Sequence, residues 1–475
     1  KQVTPEAGTT LQLYDPAGNL TTRIEDDGGA DEMENDFGYD SLNRLIKANY
    51  GDAACFTLGD EEIEYTYDTA TSCPTGTCVN GDGRLVKVEV QIACDDVEPD
   101  DALDQQTFYG YDNAGRLVQE TVEDDGGRSA PQTYEWDKNG NPTSFETPSG
   151  TEMTWDYNNT GSSYNSDHDK VTDLKRNDGS GTKITTDGSW NPFGPMESYR
   201  HYNTWGTGDY FKATFSWDKA YRPTQIHHVT SSSATSFLKI DYTYDSDGNI
   251  RGRDYTNGSS IQDQFFSYDG LDRVTEDCRV SSSCSASNEN AAIAYNVAGD
   301  RSTIHTDINS YRDETYTTNY ASGTRQLSTI TYDSGANTIS YAFDGRGNRL
   351  YDDDDNWTTD RRDYTYDARN NLVMVEGNIG YSADTYVMTN AFDHKNRRIF
   401  KSYENETTGQ VSHWFFYYDL YDRLIETKHV PDTASSSTYT LYQHYYIGDR
   451  PIAYWQIDYP SATTTKRYIH SDQMN

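Results

Sequence analysis

Large aliphatic side chains and phenylalanine are scarce in this chain: Leu, Ile, Val and Phe together supply 72 of its 475 residues. With a formal net charge of −38, that scarcity falls where chains are usually disordered, because little apolar surface is there to offset the entropy of ordering. Positive charge is also short. Lys and Arg number 39 against 77 Asp and Glu, and no basic cluster stands out, so a phosphate backbone or an anionic bilayer would be repelled. Nucleic acid and membrane surfaces are thereby set aside as partners. The acidity instead suits solubility in a saline or calcium-rich exterior. No apolar run approaches the roughly 20 residues of a membrane-spanning helix. The opening KQVTPEAG lacks a signal-peptide pattern, but both ends read as cuts in a longer chain, so that lack weighs little.

Catalytic signatures are missing as well. There is no Gly-x-Ser-x-Gly elbow, no Walker loop and no dinucleotide fingerprint. The ten histidines are scattered, and only His227 and His228 adjoin; on a strand they point to opposite faces, which argues against one shared metal. His168, between Asp167 and Asp169, sits in a polar stretch where surface placement is favoured over a metal site. The acidic runs at Asp352 and Asp245 resemble calcium loops but lack the closing ligands, so solvated turns are expected, with calcium as the alternative. No other cofactor is expected. The six cysteines form local pairs: Cys73 with Cys78, Cys278 with Cys284, and Cys55 with Cys94 by remainder. Disulfides are expected and would place the chain outside the cytoplasm. Free thiols remain an alternative, and zinc is a weaker one because no histidine lies near the first group.

What is abundant is tyrosine, 40 residues, beside 8 tryptophans. Disordered chains are poor in aromatics, and tyrosine can bury a ring while keeping its hydroxyl wet. A folded chain with a thin, aromatic core is the result, closer to a layer than to a solid ball.

These aromatics recur with a neighbour. Aromatic–Asp pairs stand at Tyr14–Asp15, Tyr39–Asp40, Tyr111–Asp112, Tyr244–Asp245, Tyr268–Asp269, Phe343–Asp344, Tyr366–Asp367 and Tyr418–Asp419, with further copies between them, most intervals being 23 to 28 residues and that from Tyr67 to Tyr111 being 44. Asp suits the first position of a type I turn, where its carboxylate accepts from backbone N–H groups ahead of it. Three residues after the Asp comes Gly18, Gly115, Gly248 or Gly347, or else Asn43, Asp272, Asn370 or Asp422. These types tolerate the positive φ that a turn with a bulge requires. Tyr221 breaks the rule, which predicts a different turn there. Next comes Asn or Arg, as at Arg116, Arg273 and Arg423, and then usually an apolar residue. The strand entering each turn alternates, as in IEYTYD and KIDYTYD, the signal of a half-buried strand. A unit of about 25 residues fits two strands, so the whole predicts an all-β antiparallel meander of roughly 30 strands. The pattern fades over about 155–210 and is interrupted by a cysteine-containing insertion over about 69–100; residues 1–475 otherwise read as one repeat domain.

The segments YDNAGRLVQETV, YDSDGNIRGRDY, YDGLDRVTED and FDGRGNRLYD resemble units of the RHS or YD-repeat family, which includes bacterial RHS toxins, shell components of insecticidal toxin complexes and teneurins. The resemblance covers about residues 11 to 472, and the final RYIHSDQMN resembles the motif opening the terminal part of that repeat core. It implies a β-ribbon spiralling into a hollow shell or cocoon, in toxin members around a C-terminal effector released by an aspartate-dependent cleavage. No cleavage residue falls within this sequence, so a non-enzymatic role is expected. Three functions are open at this stage: a secreted bacterial shell enclosing its own C-terminal effector, an adhesin holding glycans or neighbours through aromatics such as those of HWFFYYDLY, and a subunit of an extracellular fibre.

Overall fold

The computed structural model describes residues 2–4, 8–26, 28–29, 31–51, 61–92, 104–124, 128–157, 170–177, 182–192, 194–202, 210–230, 235–257, 260–279, 290–308, 312–332, 335–355, 360–378, 385–431 and 438–469. Cys55, Cys94, Cys284, His168 and the terminal His470–Asn475 lie outside them. Thirty-six strands form a single sheet with no α-helix among the described residues. Each strand pairs antiparallel with the next along the chain, from Gln2–Thr4 with Gly8–Tyr14 to Arg450–Tyr459 with Thr463–Tyr468. The count exceeds the expected 30 partly because the region of weak signal is itself stranded. It holds Glu152–Asp156, Asp173–Asn177, Thr182–Trp190 and Met196–Tyr202. Hydrogen-bond partners there come from register, which the backbone supplies whatever the side chains.

The ribbon has two edges and two faces. One edge carries the aromatic–Asp turns; the opposite edge carries the remaining connections. Alternation decides the faces: along Ser236–Tyr244, Leu238, Ile240 and Tyr242 are buried, while Lys239 and Asp241 point the other way and pair at 2.6 Å. Similarly His228 is 1% exposed, whereas its neighbour His227 stands opposite Lys239.

After more than twenty strands the ribbon returns to itself. The turn at Asp344 meets Asp26 and Asp31 near the chain's start; Gly345 donates its N–H to Asp31 at 2.8 Å. A Cβ on Gly345 would lie 2.1 Å from Asp26 Oδ2, so a larger residue there would have to push the Asp26 carboxylate aside. Successive later turns then meet successive earlier strands: Asn370 with Glu25, Arg369 with Glu61, His394 with Tyr109 and Arg397 with Glu120. Farther on, Glu426 accepts from the N–H and hydroxyl of Ser149, and Arg176 donates to Gln443. Both partners advance together along the chain, so the last third runs alongside the first half as a second winding. The largest hydrophobic core sits where they meet. It joins Tyr134, Phe145, Leu174, Tyr199, Phe215, Ile240 and Tyr242 of the earlier strands to Ile425, Tyr445, Ile452 and Trp455 of the later ones.

Candidate functional site

The repeated turn is built from its aspartate. In the first copy, Asp15 Oδ1 accepts the N–H groups of Ala17 at 2.9 Å and Asn19 at 2.8 Å. Oδ2 takes the Asn19 side-chain amide at 2.9 Å. Backbone bonds close the loop, Gly18 N to Asp15 O at 3.0 Å and Asp15 N to Asn19 O at 2.9 Å, and Gly18 has φ of 91°. The same bonds recur at Asp40, Asp112, Asp245, Asp269, Asp344, Asp367 and Asp419. Asn43, Asp272, Asn370 and Asp422 take φ between 58° and 66°. Gly115, Gly248 and Gly347 occupy the same place. The aromatic before each Asp sits at the register shift, for instance between Thr243 and Tyr244, which is the bulge this turn demands.

Tyr221 corrects the sequence reading. It takes φ of 58°, donates its N–H to Asp218 O at 3.0 Å, and the hairpin turns as the others do. The Asp218 carboxylate, gripping Ala220 and Arg222, outweighs the strain of a non-glycine residue in the left-handed region.

Two links join many of the units to the next, and neither was legible as such in the sequence. The aromatic ring reaches back with a donor: Tyr244 Oη to Pro223 O at 2.7 Å, Tyr268 Oη to Ile250 O at 2.7 Å, Tyr111 Oη to Leu85 O at 2.7 Å and Tyr418 Oη to Arg398 O at 2.9 Å. Trp136 and Trp217 do the same through the indole N–H, which explains why Tyr and Trp interchange at this position. Phe343 has no donor to offer. The arginine leaving the turn pairs with its own Asp and lies over the next aromatic, as Arg116 over Trp136 at 5.8 Å and Arg273 over Tyr295 at 4.1 Å. Arg423 lies over Tyr446 at 5.4 Å. A stacked cation adds about 0.5–1 kcal/mol where it is exposed.

The chemically unusual groups gather at the seam between the two windings. Glu61, Glu120 and Glu426 are buried there, as is Arg369. Burial pushes the Glu61 carboxyl up to about 7 and raises Glu120, Glu426 and Asp367. Burial drives His394 and His444 down to about 4. In the open turns the direction reverses for aspartate. Hydrogen bonds from Asn19, from the Arg44 backbone and from the Arg273 side chain hold Asp15, Asp40 and Asp269 below the ordinary carboxylate range.

Other residues singled out from the sequence fall elsewhere. The acidic run at Asp352 is a correction: it lies in the strand Arg349–Asp354 and not in a solvated turn. Asp352 is 3% exposed, bridges Arg362 at 2.6 Å and accepts the Tyr364 hydroxyl; cross-strand partners neutralise a charge that sequence alone leaves bare. Of HWFFYYDLY, His413 to Tyr418 lie in the strand Gln410–Tyr418 and the rest in the turn at Asp419; Trp414 stacks on His429 at 4.5 Å. Cys73 and Cys78 are joined by a disulfide, Cα to Cα 6.2 Å. Their loop docks on the neighbouring strand through Cys78 N to Tyr109 O at 2.7 Å. Cys278 is also disulfide-bonded. Among the described residues no three His, Cys, Asp or Glu side chains gather as metal ligands would.

The chain matches solved structures over nearly its full length. Against the crystal structure of TcdB2–TccC3–TEV the TM-score is 0.73 at 12% identity, covering 99% of this chain and 23% of that one. It has the fold of the TcdB2–TccC3 toxin proteins. The TcdB2–TccC3–Cdc42 crystal structure gives 0.60 at 12% identity, over 99% of this chain and 24% of that one. The Photorhabdus luminescens Tc holotoxin pore gives 0.58 at 12%, over 99% and 27%. The chain thus spans about a quarter of the length of the structures it matches, and the likeness to RHS repeats expected from the sequence holds as one of fold. No family model matches the sequence, and no curated protein does either.

Proposed function

We propose that this chain is a wall segment of a protective shell, non-enzymatic in itself, that encloses an effector carried by the same longer chain in a secreted bacterial toxin or competition system. The observation that carries this reading is the seam, where the ribbon returns after more than twenty strands and docks on its own beginning. From the strand Glu61–Tyr67 to the hairpin bearing Arg369, the circuit comprises 22 strand spacings. At ~4.8 Å each, that is a path of ~105 Å, or a circle ~34 Å across. Packed sheets stand only ~10 Å apart, so the side chains of one layer leave a space inside. The Cys73–Cys78 disulfide supports an oxidising, extracellular setting, and the toxin complexes that share the fold support an effector or neighbouring subunit as partner.

Small-angle scattering of the purified chain, and protease digestion of the full gene product, test the proposal. A hollow-shell profile and a C-terminal fragment spared until the wall is denatured are expected. A solid-body profile, or immediate digestion of everything beyond the repeats, would overturn it.

A further inference from the structure

The turn at Asp68 departs from its repeats. Asp68 N still donates to Arg84 O at 2.9 Å, and Gly83 N to Asp68 Oδ1 at 2.6 Å. Residues 69–82 are inserted between these partners, and the Cys73–Cys78 disulfide lies within the insertion. The insertion folds back along the next hairpin. Besides the bond from Cys78 N to Tyr109 O, Tyr111 N donates to Val79 O at 3.1 Å. Asn80 Nδ2 donates to Tyr111 O at 2.8 Å and Gln119 Nε2 to Thr75 O at 2.9 Å, both exposed to water. A Cβ on Gly110 would lie 2.2 Å from the backbone oxygen of Gly76, so the bare glycine lets the loop lie this close. Thr75 and Gly76 stand between the two bridged cysteines.

The strand Gln105–Tyr111 is therefore held from both sides. Gly110 stands opposite Gln119 and Phe108 opposite Thr121, and alternation puts all four on the face under the loop. Phe108 and Thr121 are each 1% exposed. Tyr109 and Glu120, also opposite one another, occupy the other face, where His394 and Arg397 of the later winding dock. The loop's own grip is polar: among the described residues, none of 69–78 belongs to a hydrophobic cluster. Without the bridge, that grip is a few hydrogen bonds for which water competes.

We propose that the Cys73–Cys78 loop is a redox-sensitive brace: bridged, it backs the strand Gln105–Tyr111 beneath the docked turn, and reduced, it lets go and the joint loosens. A dithiol supplies the two electrons and two protons. The S–S bond breaks, Cys73 and Cys78 become thiols, and the dithiol closes to its own disulfide. The arrangement of the bonds sets the direction. Reduction frees the segment carrying Thr75 and Gly76, and the bonds it gives up are those to the hairpin whose far face carries Tyr109 and Glu120. The brace is closed in an oxidising exterior and opens in a thiol-rich compartment. It concerns the wall alone and holds whatever the wall encloses.

Hydrogen exchange of the intact chain at constant pH, with and without a dithiol, reads the brace directly. On reduction the amides of Cys78 and Tyr111 are expected to exchange about tenfold faster or more, as befits a short bridged loop. Peptides over 389–400, on the docked turn, are expected to lose about threefold or more in protection. The double variant Cys73→Ser/Cys78→Ser is expected to exchange at the reduced rate from the outset. Added dithiol should then change nothing at these positions, although Cys278 is bridged as well. Should the double variant fail to fold, the chain reduced while folded and alkylated at Cys73 and Cys78 carries the same test. Protection over 389–400 that is unchanged once Cys73 and Cys78 are reduced would overturn the proposal. So would an equal response to dithiol in the natural chain and the double variant.

Discussion

The turn at Asp40 and the turn at Asp393 are the same object in two surroundings. Each aspartate accepts two backbone N–H groups and an arginine Nε at 2.7 Å. Yet the Asp393 side chain is 3% exposed and that of Asp40 is 20%, because Asp393 is planted in the earlier winding and Asp40 faces solvent. The difference lies one residue on. The docked turns place Gly345, Ala368, His394 and Leu420 after the aspartate, whereas most open turns place a polar residue or proline there, as at Pro16, Ser41, Asn113, Lys138, Lys219 and Ser246, with Gly270 and Val297 as exceptions. Small or apolar residues at that point can enter another layer; polar ones are solvated at no cost. The aspartate makes a turn, and a small or apolar neighbour lets the turn become a joint without compelling it, since Val297 stands fully exposed.

That comparison can be broken deliberately. The largest effect is expected for Ala368→Lys, which forces a charge into a position that is 2% exposed. A loss of about 3 kcal/mol or more is expected in urea unfolding, with protease access to 345–430, while Ser41→Lys should stay within about 0.5 kcal/mol. Asp393→Ala comes next. It strips Arg397, 12% exposed, of its closest partner and should cost about 3 kcal/mol, against a distinctly smaller shift in midpoint for Asp40→Ala, whose freed backbone donors return to water. The smallest effect sharpens the comparison by ignoring it. Tyr244→Phe and Tyr418→Phe each remove one ring donor from a backbone carbonyl, at about 1 kcal/mol apiece by the same urea midpoints. The two losses should match although only Tyr418 adjoins a docked turn.

The turns were readable because their causes are local. Asp, a residue tolerant of positive φ and an arginine or asparagine lie within five positions of one another, and each acts through backbone bonds to its neighbours. Local reading failed where a stronger partner lay beyond the window. Tyr221 adopts the common turn because Asp218 enforces it, and the Asp352 run enters a strand because Arg362 and Tyr364 face it from the next. The seam was invisible for a different reason. Its partners stand 267 to 345 residues apart, and nothing in Glu61 or Arg369 alone names the other. A partial trace is the residue after the turn's first position, small or apolar at Gly345, Ala368 and Leu420 but also at the open Gly270 and Val297. The repeat declares itself through its constant positions, whereas the joint needs the distant strand as well.

The backward reach of each aromatic ring has a consequence in time. Tyr268 seeks a carbonyl of the hairpin made before it, never of the one to come. A nascent chain emerging from the ribosome therefore meets, at every step, a finished template for the hairpin just synthesised, and domains generally form in that order. The ribbon can be laid course by course as it is translated, its growing end always resting on completed work, and only the final courses must wait to find the first.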